Sequence, residues 1–459
     1  MALTESQNTE RLSRVPLGSL TAHLRAWLND SSHRSIAQKV AGAAFVIRVF
    51  SAALIYLSQI LFARWMGSFE FGIYVYVWTW VLLIGDLADL GLASGAQRFI
   101  PAYTSRKSFD LLRGFLSHSR WIAVASATII ALLGVGTVKL LQPVLSDYVV
   151  LPLMTACATL PFYALMQIQD GIARSYNWIH LALLPPYIVR HTIMLLLMAA
   201  AYLLSFPTNA ETAVTAVGVS FALTVVWQTI VLNRKLKRTV EPGPKAHETK
   251  TWFRVSLPIL MVEGFCLPLS NTDILVLQQF RSPEDVAHYY AAAKTLTLIA
   301  FVHFAVSAAV AHRFSEYHVT ADHARLSQIL HDSIRWTFWA SVAATIVILA
   351  MGRPLLALFG PGFVEGYYLM FILAVGLMAR AAVGPVERLL NMLGEQNACA
   401  AVYATAFALN LVLCVVLIPQ IGAAGAAVAT AAALIVESLL LFWVTKRRLG
   451  FHVLIWGRP

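Results

Sequence analysis

Residues 71–99 read FGIYVYVWTWVLLIGDLADLGLASGAQRF, and this stretch decides the fold. The run up to Ile84 carries no charge and belongs in hydrocarbon; beyond it Asp86 and Asp89 stand three residues apart, Gly91 follows, and Arg98 closes the segment. The whole chain has the same character: 59% of its 459 residues are apolar, 12% are charged, and the mean hydropathy is +0.70. A soluble domain carries about a quarter charged residues. Apolar runs of roughly 20 residues, enough to span a bilayer as helix, recur along the sequence, and in lipid a helix satisfies its own backbone. The reading is an all-α polytopic membrane protein of twelve transmembrane helices, starting near residues 40, 73, 119, 148, 181, 212, 254, 287, 334, 364, 398 and 422.

Loop charge sets the expected orientation. Of 34 Lys and Arg, four fall in loops on one side (Arg64, Lys139, Arg281 and Arg353) and four inside spans (Arg48, Arg190, Lys294 and Arg380). The rest sit on the other side, which the positive-inside rule makes cytoplasmic, with both termini there. That distribution accounts for the net charge of +11 without nucleic acid. The N-terminal MALTESQNTERLSR lacks an apolar h-region, so no cleaved signal peptide is expected. The basic run NRKLKR and the Pro/Gly-bearing segment after it mark a boundary between halves. The expected organisation is a cytoplasmic tail (1–39), an N-lobe (40–233), a linker (234–251), a C-lobe (252–446) and a cytoplasmic tail (447–459). Residues 17–28 suit a short helix on the inner surface.

The halves share one ungapped register. AQRF (96–99) overlies AHRF (311–314), RWIAVAS (120–126) overlies RWTFWAS (335–341), and Tyr74 overlies Tyr289. Six spans separate equivalent points, so the copies have the same orientation and a pseudo-two-fold axis runs along the membrane normal. A substrate site is expected between the lobes. In this register Asp86 and Asp89 fall on phenylalanines, so the two carboxylates belong to one lobe only, whereas Arg98 recurs as Arg313.

The segment FARWMGSFEFGIYVYVWTWVLLIGDLADLGLASGAQRFIPAY resembles the first hairpin of bacterial polysaccharide flippases of the multidrug/oligosaccharidyl-lipid/polysaccharide exporter superfamily. MGSFEFGIY and DLGL stand where that family has a small-residue turn and a D-x-G-L helix end. LFGPGFVEGYYLMFILAVGLMARAAVGPVERLLNMLGEQN and LIPQIGAAGAAVATAAA are similar to the family's tenth to twelfth helices. The resemblance implies a two-lobed, V-shaped bundle that alternates between inward- and outward-facing states. It implies a substrate too: an oligosaccharide on polyprenyl diphosphate, moved from the cytoplasmic to the periplasmic leaflet of the inner membrane. Twelve spans, rather than the fourteen of the peptidoglycan-precursor branch, point to O-antigen, capsule or exopolysaccharide synthesis, with polysaccharide polymerase and chain-length proteins as partners. Asp89 matches the D-x-G-L motif and is expected to fasten the helix end; nothing in the motif demands Asp86.

Charge at membrane depth costs at least about 2.5–3.5 kcal/mol on insertion scales, so each buried ion is a functional candidate. The cavity candidates for a diphosphate are Arg48, Arg190, Lys294 and Arg380, since Arg contacts phosphate bidentately and Lys acts as a point charge. Arg48 and Arg380 lie near helix ends, where snorkelling is the alternative. Arg190 is about 14 Å into its helix, after Pro185 and Pro186. The ion-pair or coupling candidates are Asp86, Asp89, Glu263 and Asp273: Glu263 is the repeat equivalent of Arg48, and Asp273 is a candidate partner of Lys294. Buried carboxylates carry a proton readily or pair with Arg, so proton or sodium coupling competes with plain salt bridges. Glu437, among small aliphatic residues, has no evident role.

No cofactor or metal is expected: the histidines form no HExxH spacing, and the four cysteines lie in apolar runs without CxxC. Trp65, Tyr74, Trp178 and Trp252 are expected as interfacial belts. A polymerase or ligase enzyme would need a long external loop with catalytic side chains, and every external loop is short. ATP-driven transport lacks its GxxxxGK[ST] loop. The remaining alternative is a drug/cation antiporter of the same superfamily, which would favour an acidic, aromatic pocket.

Overall fold

A computed structural model of the protein describes residues 33–269, 271–300, 323–451, 453 and 455, with 302, 303, 306, 307, 310, 314 and 317; side chains are described except at 33–41, 43–45, 261–268, 323 and 324. The expected surface helix at 17–28, Arg313 and the side chain of Glu263 lie outside the described residues. By internal packing the chain divides into two units, Met1–Ala53 and Leu54–Pro459. In the first, the Ser51 hydroxyl donates to the Arg48 carbonyl at 2.8 Å. All that follows concerns the second.

Among the described residues the fold is helical, without strands. The helices are α1 (His33–Ala88), α2 (Leu92–Ser105), α3 (Phe109–Leu141), α4 (Asp147–Cys157), α5 (Leu160–Ser175), α6 (Ile179–Leu184), α7 (Arg190–Leu203) and α8 (Ala210–Thr239). After the linker come α9 (Thr249–Leu269), α10 (Thr272–Phe280), α11 (Pro283–Thr297), α12 (His323–Ala350), α13 (Gly352–Ala357), α14 (Tyr367–Val383), α15 (Val386–Met392), α16 (Gln396–Ile421) and α17 (Ala423–Leu449). Among the described residues, eight stretches are long and apolar enough to cross a bilayer, nine if α4 and α5, bent by 43°, form one span. The longest, Val46–Ser105, contains two crossings, and α9–α10 and α11 open two more, giving twelve passages in two six-helix lobes.

Local chemistry places each break. Gly67 has φ 79° and ψ 170°, a backbone state essentially reserved for glycine, and it turns the chain between the first two passages. Leu90 (φ 57°) and Gly91 (φ 72°) interrupt the second passage, and Asp89 repairs the interruption. Its carboxylate accepts from the Gly91 N–H at 2.9 Å and the Ala93 N–H at 3.0 Å, two donors that the start of α2 leaves without helical partners. Pro185 and Pro186 open a π-helical turn, Pro185–Val189, which joins α6 to α7.

Several helices outrun the apolar segments that reveal them. The third passage begins at Phe109 rather than near 119, and the ninth is already helical at His323, ahead of 334, because charged and polar residues such as Asp110, Arg113, Arg325 and Asp332 interrupt the apolar run in their first turns. Two residues expected in the interfacial belt are core instead: Tyr74 is 2% exposed, and Trp252 is fully buried, with its indole N–H donating to the Tyr103 hydroxyl at 2.9 Å.

The lobes meet tightly at the end away from the linker. Arg64 donates to the Leu358 carbonyl at 2.6 Å and the Ala357 carbonyl at 3.3 Å, at the end of α13. Gly72 rests on the Pro283 carbonyl, which a Cβ there would overlap. The Phe71 ring packs edge-on against Tyr290 and Phe363.

Two substitutions isolate backbone strain at Gly67, because a Cβ there meets nothing within 4 Å. Gly67→Ala is expected to lower stability by about 1–3 kcal/mol, read as the thermal midpoint of the detergent-solubilised protein. Gly136→Ala, equally open but inside α3, is expected to be neutral or to stabilise by about 0.5–1 kcal/mol; equal losses at both sites would refute the strain account. At the break, Asp89→Ala should cost about 0.5–2 kcal/mol and Asp89→Asn, which keeps an acceptor, markedly less.

Candidate functional site

Asp86 and Asp89 do different things although they share a helix turn. Asp89 is 4% exposed and faces the backbone of α2, as described above. Asp86 points away from that backbone and accepts from the Tyr163 hydroxyl at 2.6 Å and the Gln167 amide at 3.0 Å, both on α5. Gly85, the residue before it, lies against the Tyr163 ring, where a Cβ would come within 2.7 Å.

Beyond Asp86 is a chamber of about 350 Å³ whose walls come from both lobes. Arg190 of α7 and Lys294 of α11 both line it. The π turn explains Arg190. Its own N–H reaches back to the Pro185 carbonyl, bypassing Pro186, and the Pro186 carbonyl instead accepts from the side-chain Nε at 3.4 Å. The guanidinium lies 4.7 Å from the Phe221 ring centre and 5.5 Å from that of Trp78, and it donates to His191 Nε2 at 2.7 Å. Lys294 Nζ lies 5.0 Å from the Tyr290 ring centre. Neither cation makes an ion pair among the described residues; aromatic faces flank both, and Arg190 also donates to neutral acceptors.

Asp86 and Gln167 also line a larger cavity of about 1050 Å³, so the two spaces share a neck. This outer cavity runs between the lobes toward the linker end, where Arg98, Arg254 and Arg388 line it, together with Glu387 and Tyr403. Arg98 and Arg254 come from α2 and α9, which touch through Gly91 and Gly95 against Ser256. The site is therefore a stepped channel with three arginines at the mouth, a carboxylate at the neck and two cations in the chamber.

The other candidates lie elsewhere. Arg380 does not line either cavity: its Nε is 3.5 Å from Glu437 Oε1 and its Nη2 3.8 Å from Glu387 Oε2, and Glu437 is fully buried. Asp273 begins α10 and accepts from its neighbour's N–H (Ile274, 2.9 Å), from the Thr430 hydroxyl (3.0 Å) and from the Tyr289 hydroxyl. It makes no ion pair with Lys294 among the described residues. Arg48, half-buried, belongs to the first unit.

Sequence reasoning passed over Tyr163, Gln167, Trp78 and His191. Polar residues and aromatics on apolar helices carry no spacing signal; only the polar pair Gln167 and Gln169 within an apolar span marks the wall of α5. Among the described residues no group of His, Cys, Asp or Glu is placed to hold a metal ion.

Known proteins share this arrangement of helices. The probable low-salt glycan biosynthesis flippase Agl15 of Haloferax volcanii is 21% identical over 402 residues, covering 86% of this chain and 80% of the relative. An inward-facing multidrug resistance MATE family transporter superposes with a TM-score of 0.72 at 14% identity, over 88% of this chain and 98% of its own. The lipid II flippase MurJ, in an inward closed conformation, gives 0.67 at 16% identity, over 88% and 87%. The MatE family matches residues 258–416. The polysaccharide biosynthesis protein family matches residues 39–318, more than half the sequence, and the chain belongs to that family, a flippase-like transporter of the multidrug/oligosaccharidyl-lipid/polysaccharide exporter superfamily.

Proposed function

We propose that the protein flips polyprenyl-diphosphate-linked oligosaccharide from the cytoplasmic to the periplasmic leaflet by alternating access, for O-antigen, capsule or exopolysaccharide synthesis. In this reading it sits in the bacterial inner membrane with both termini and the linker cytoplasmic, and it passes its substrate to polymerase and chain-length proteins. One observation carries the proposal: Arg190 and Lys294, one from each lobe, line a single chamber, and neither makes an ion pair among the described residues. A buried cation kept without a carboxylate is costly unless an anion visits it, and a diphosphate bridging the lobes would satisfy both. The mouth arginines supply a positive approach, and the sealed opposite end makes this the state that loads from the linker side.

Asp86 supports a coupling role. The donors Tyr163 and Gln167 fit the ionised carboxylate, and protonation or sodium binding at the neck would loosen the junction between the two spaces. The same carboxylate, with the aromatic walls and the MatE match, favours a second reading as a cation antiporter.

In a strain lacking this gene, the wild-type protein is expected to restore surface polysaccharide. Arg190→Gln and Lys294→Gln should each reduce flipping about 10- to 100-fold, the loss of a charge-assisted contact of about 1.5–3 kcal/mol, measured with reconstituted protein and lipid-linked oligosaccharide. Arg190→Lys should recover only part, since the planar fork is gone. Wild-type flipping by the double variant would overturn the reading. Cation efflux that Arg190→Gln raises and Asp86→Asn abolishes would establish the antiporter instead.

A further inference from the structure

Helix α16 has cavities on two faces. Cys399, Ala400 and Tyr403 line the outer cavity of the translocation path. On the other face Ala398, Ala401 and Thr405 oppose Leu440, Trp443 and Arg447 of α17 across a separate groove of about 610 Å³, which shares no lining residue with that path. The two helices close on each other at their hairpin: Gly422 turns the chain with φ 62°, and a Cβ on Gly425 would lie 2.6 Å from the Leu417 carbonyl. The groove is at their opposite, linker end, where Glu395 binds Arg448 at 2.6 Å and pins the start of α16 to the end of α17.

The groove has the dimensions and polarity of half a bilayer leaflet. Its walls use the first turns of α16 and the last of α17, about 10 Å along each axis, inside a leaflet of about 15 Å of hydrocarbon. Small residues on α16 form its floor. Trp443, 53% exposed, stands where an aromatic belt residue would. Arg447 lies over the Trp443 ring at 5.1 Å and makes no ion pair among the described residues, whereas Arg448 is neutralised by Glu395. An apolar trough of this depth, ending in one uncommitted guanidinium, complements a chain with a single phosphodiester at its head.

We propose that this groove holds an anionic phospholipid of the linker-side leaflet, its phosphate on Arg447 and an acyl chain along Ala401 and Leu440. The site is distinct from the substrate path, because α16 separates the two. Lipid there packs against the wall that carries Tyr403 and so braces one side of the cavity.

The test is native mass spectrometry of the full-length protein in detergent with phosphatidylglycerol or phosphatidylcholine of matched chains. The expected result is retention of one phosphatidylglycerol about fivefold better than phosphatidylcholine, the worth of one basic residue at a membrane surface. Arg447→Gln should remove that preference, Ala401→Trp should fill the trough and remove both lipids, and Arg190→Gln should change neither. Arg447 is exposed, so its variant carries the test even if Ala401→Trp folds poorly. Quenching of Trp443 by brominated phosphatidylglycerol in vesicles, taken as the difference from Trp443→Phe, should fall with Arg447→Gln. Equal retention of the two lipids, indifference to Arg447→Gln, or displacement of phosphatidylglycerol by equimolar undecaprenyl diphosphate would overturn the proposal, the last by giving the groove to a prenyl chain. Lipid retention is read without transport, so it stands or falls apart from the flippase reading.

Discussion

The structure turns on two hydrogen bonds, from the Gly91 and Ala93 N–H groups to the Asp89 carboxylate. A helix that breaks within a bilayer must find internal partners for the groups it frees, and here one side chain supplies them. With these donors satisfied, and the Leu92 N–H on the Asp89 carbonyl, α2 leaves the line of α1 and runs between α5 and α9. Glycines make both contacts close: Gly171 of α5 lies against the Ala93 carbonyl, and Gly95 lies against the Ser256 hydroxyl. The redirected helix carries Ala93, Ser94 and Arg98 along the mouth and leaves Asp86, one turn earlier, at the neck. The cap thus helps to place one wall of the outer cavity and its junction with the chamber.

Much of this fold is legible in the sequence because hydrocarbon enforces it. Apolar length gives the passages, Gly67 and Gly91 stand where the backbone needs positive φ, and the register of AQRF on AHRF gives the two lobes. What is not legible is which face of an apolar helix meets protein and which meets lipid. Tyr74 and Trp252 have the composition and position of belt residues, yet both are core, because a second lobe or the linker covers them. The same ambiguity conceals Tyr163 and Gln167. A buried charge announces itself by its cost, but the neutral groups that hold it do not.

The repeat describes the scaffold and fails for the charges, and the failure is informative. In the C-lobe the cation Arg380 is met by the buried carboxylate of Glu437 and, more distantly, by Glu387, so the pair closes within one lobe. Such a pair roughly balances its own desolvation and adds little net stability, although breaking it would strand a charge. In the N-lobe Arg190 is met by rings and by neutral acceptors. Tyr289 answers to Asp273, whereas the position equivalent to Asp273 in the N-lobe is Ser58. Duplicated architecture thus carries a C-lobe pair that closes on itself and an N-lobe cation held by rings and neutral acceptors, while Lys294 of the C-lobe lines the same chamber as Arg190 from across the axis.

The seal at the far end has the energetics of something made to open. Arg64 grips carbonyls at the end of α13 rather than a carboxylate, a charge-assisted bond of about 1.5–3 kcal/mol. The ring contacts of Phe71 add about 0.5–1.5 kcal/mol each. Gly72 against Pro283 brings two backbones together without interlocking side chains, so the surfaces can part by sliding. The sum is a few kcal/mol, comparable with the roughly 5.5 kcal/mol of differential affinity that takes a two-state equilibrium from 1:99 to 99:1. Water can replace the carbonyls around Arg64 as soon as the lobes separate, so opening strands no buried charge. A carboxylate in their place would have made the closed state deeper and the transition slower.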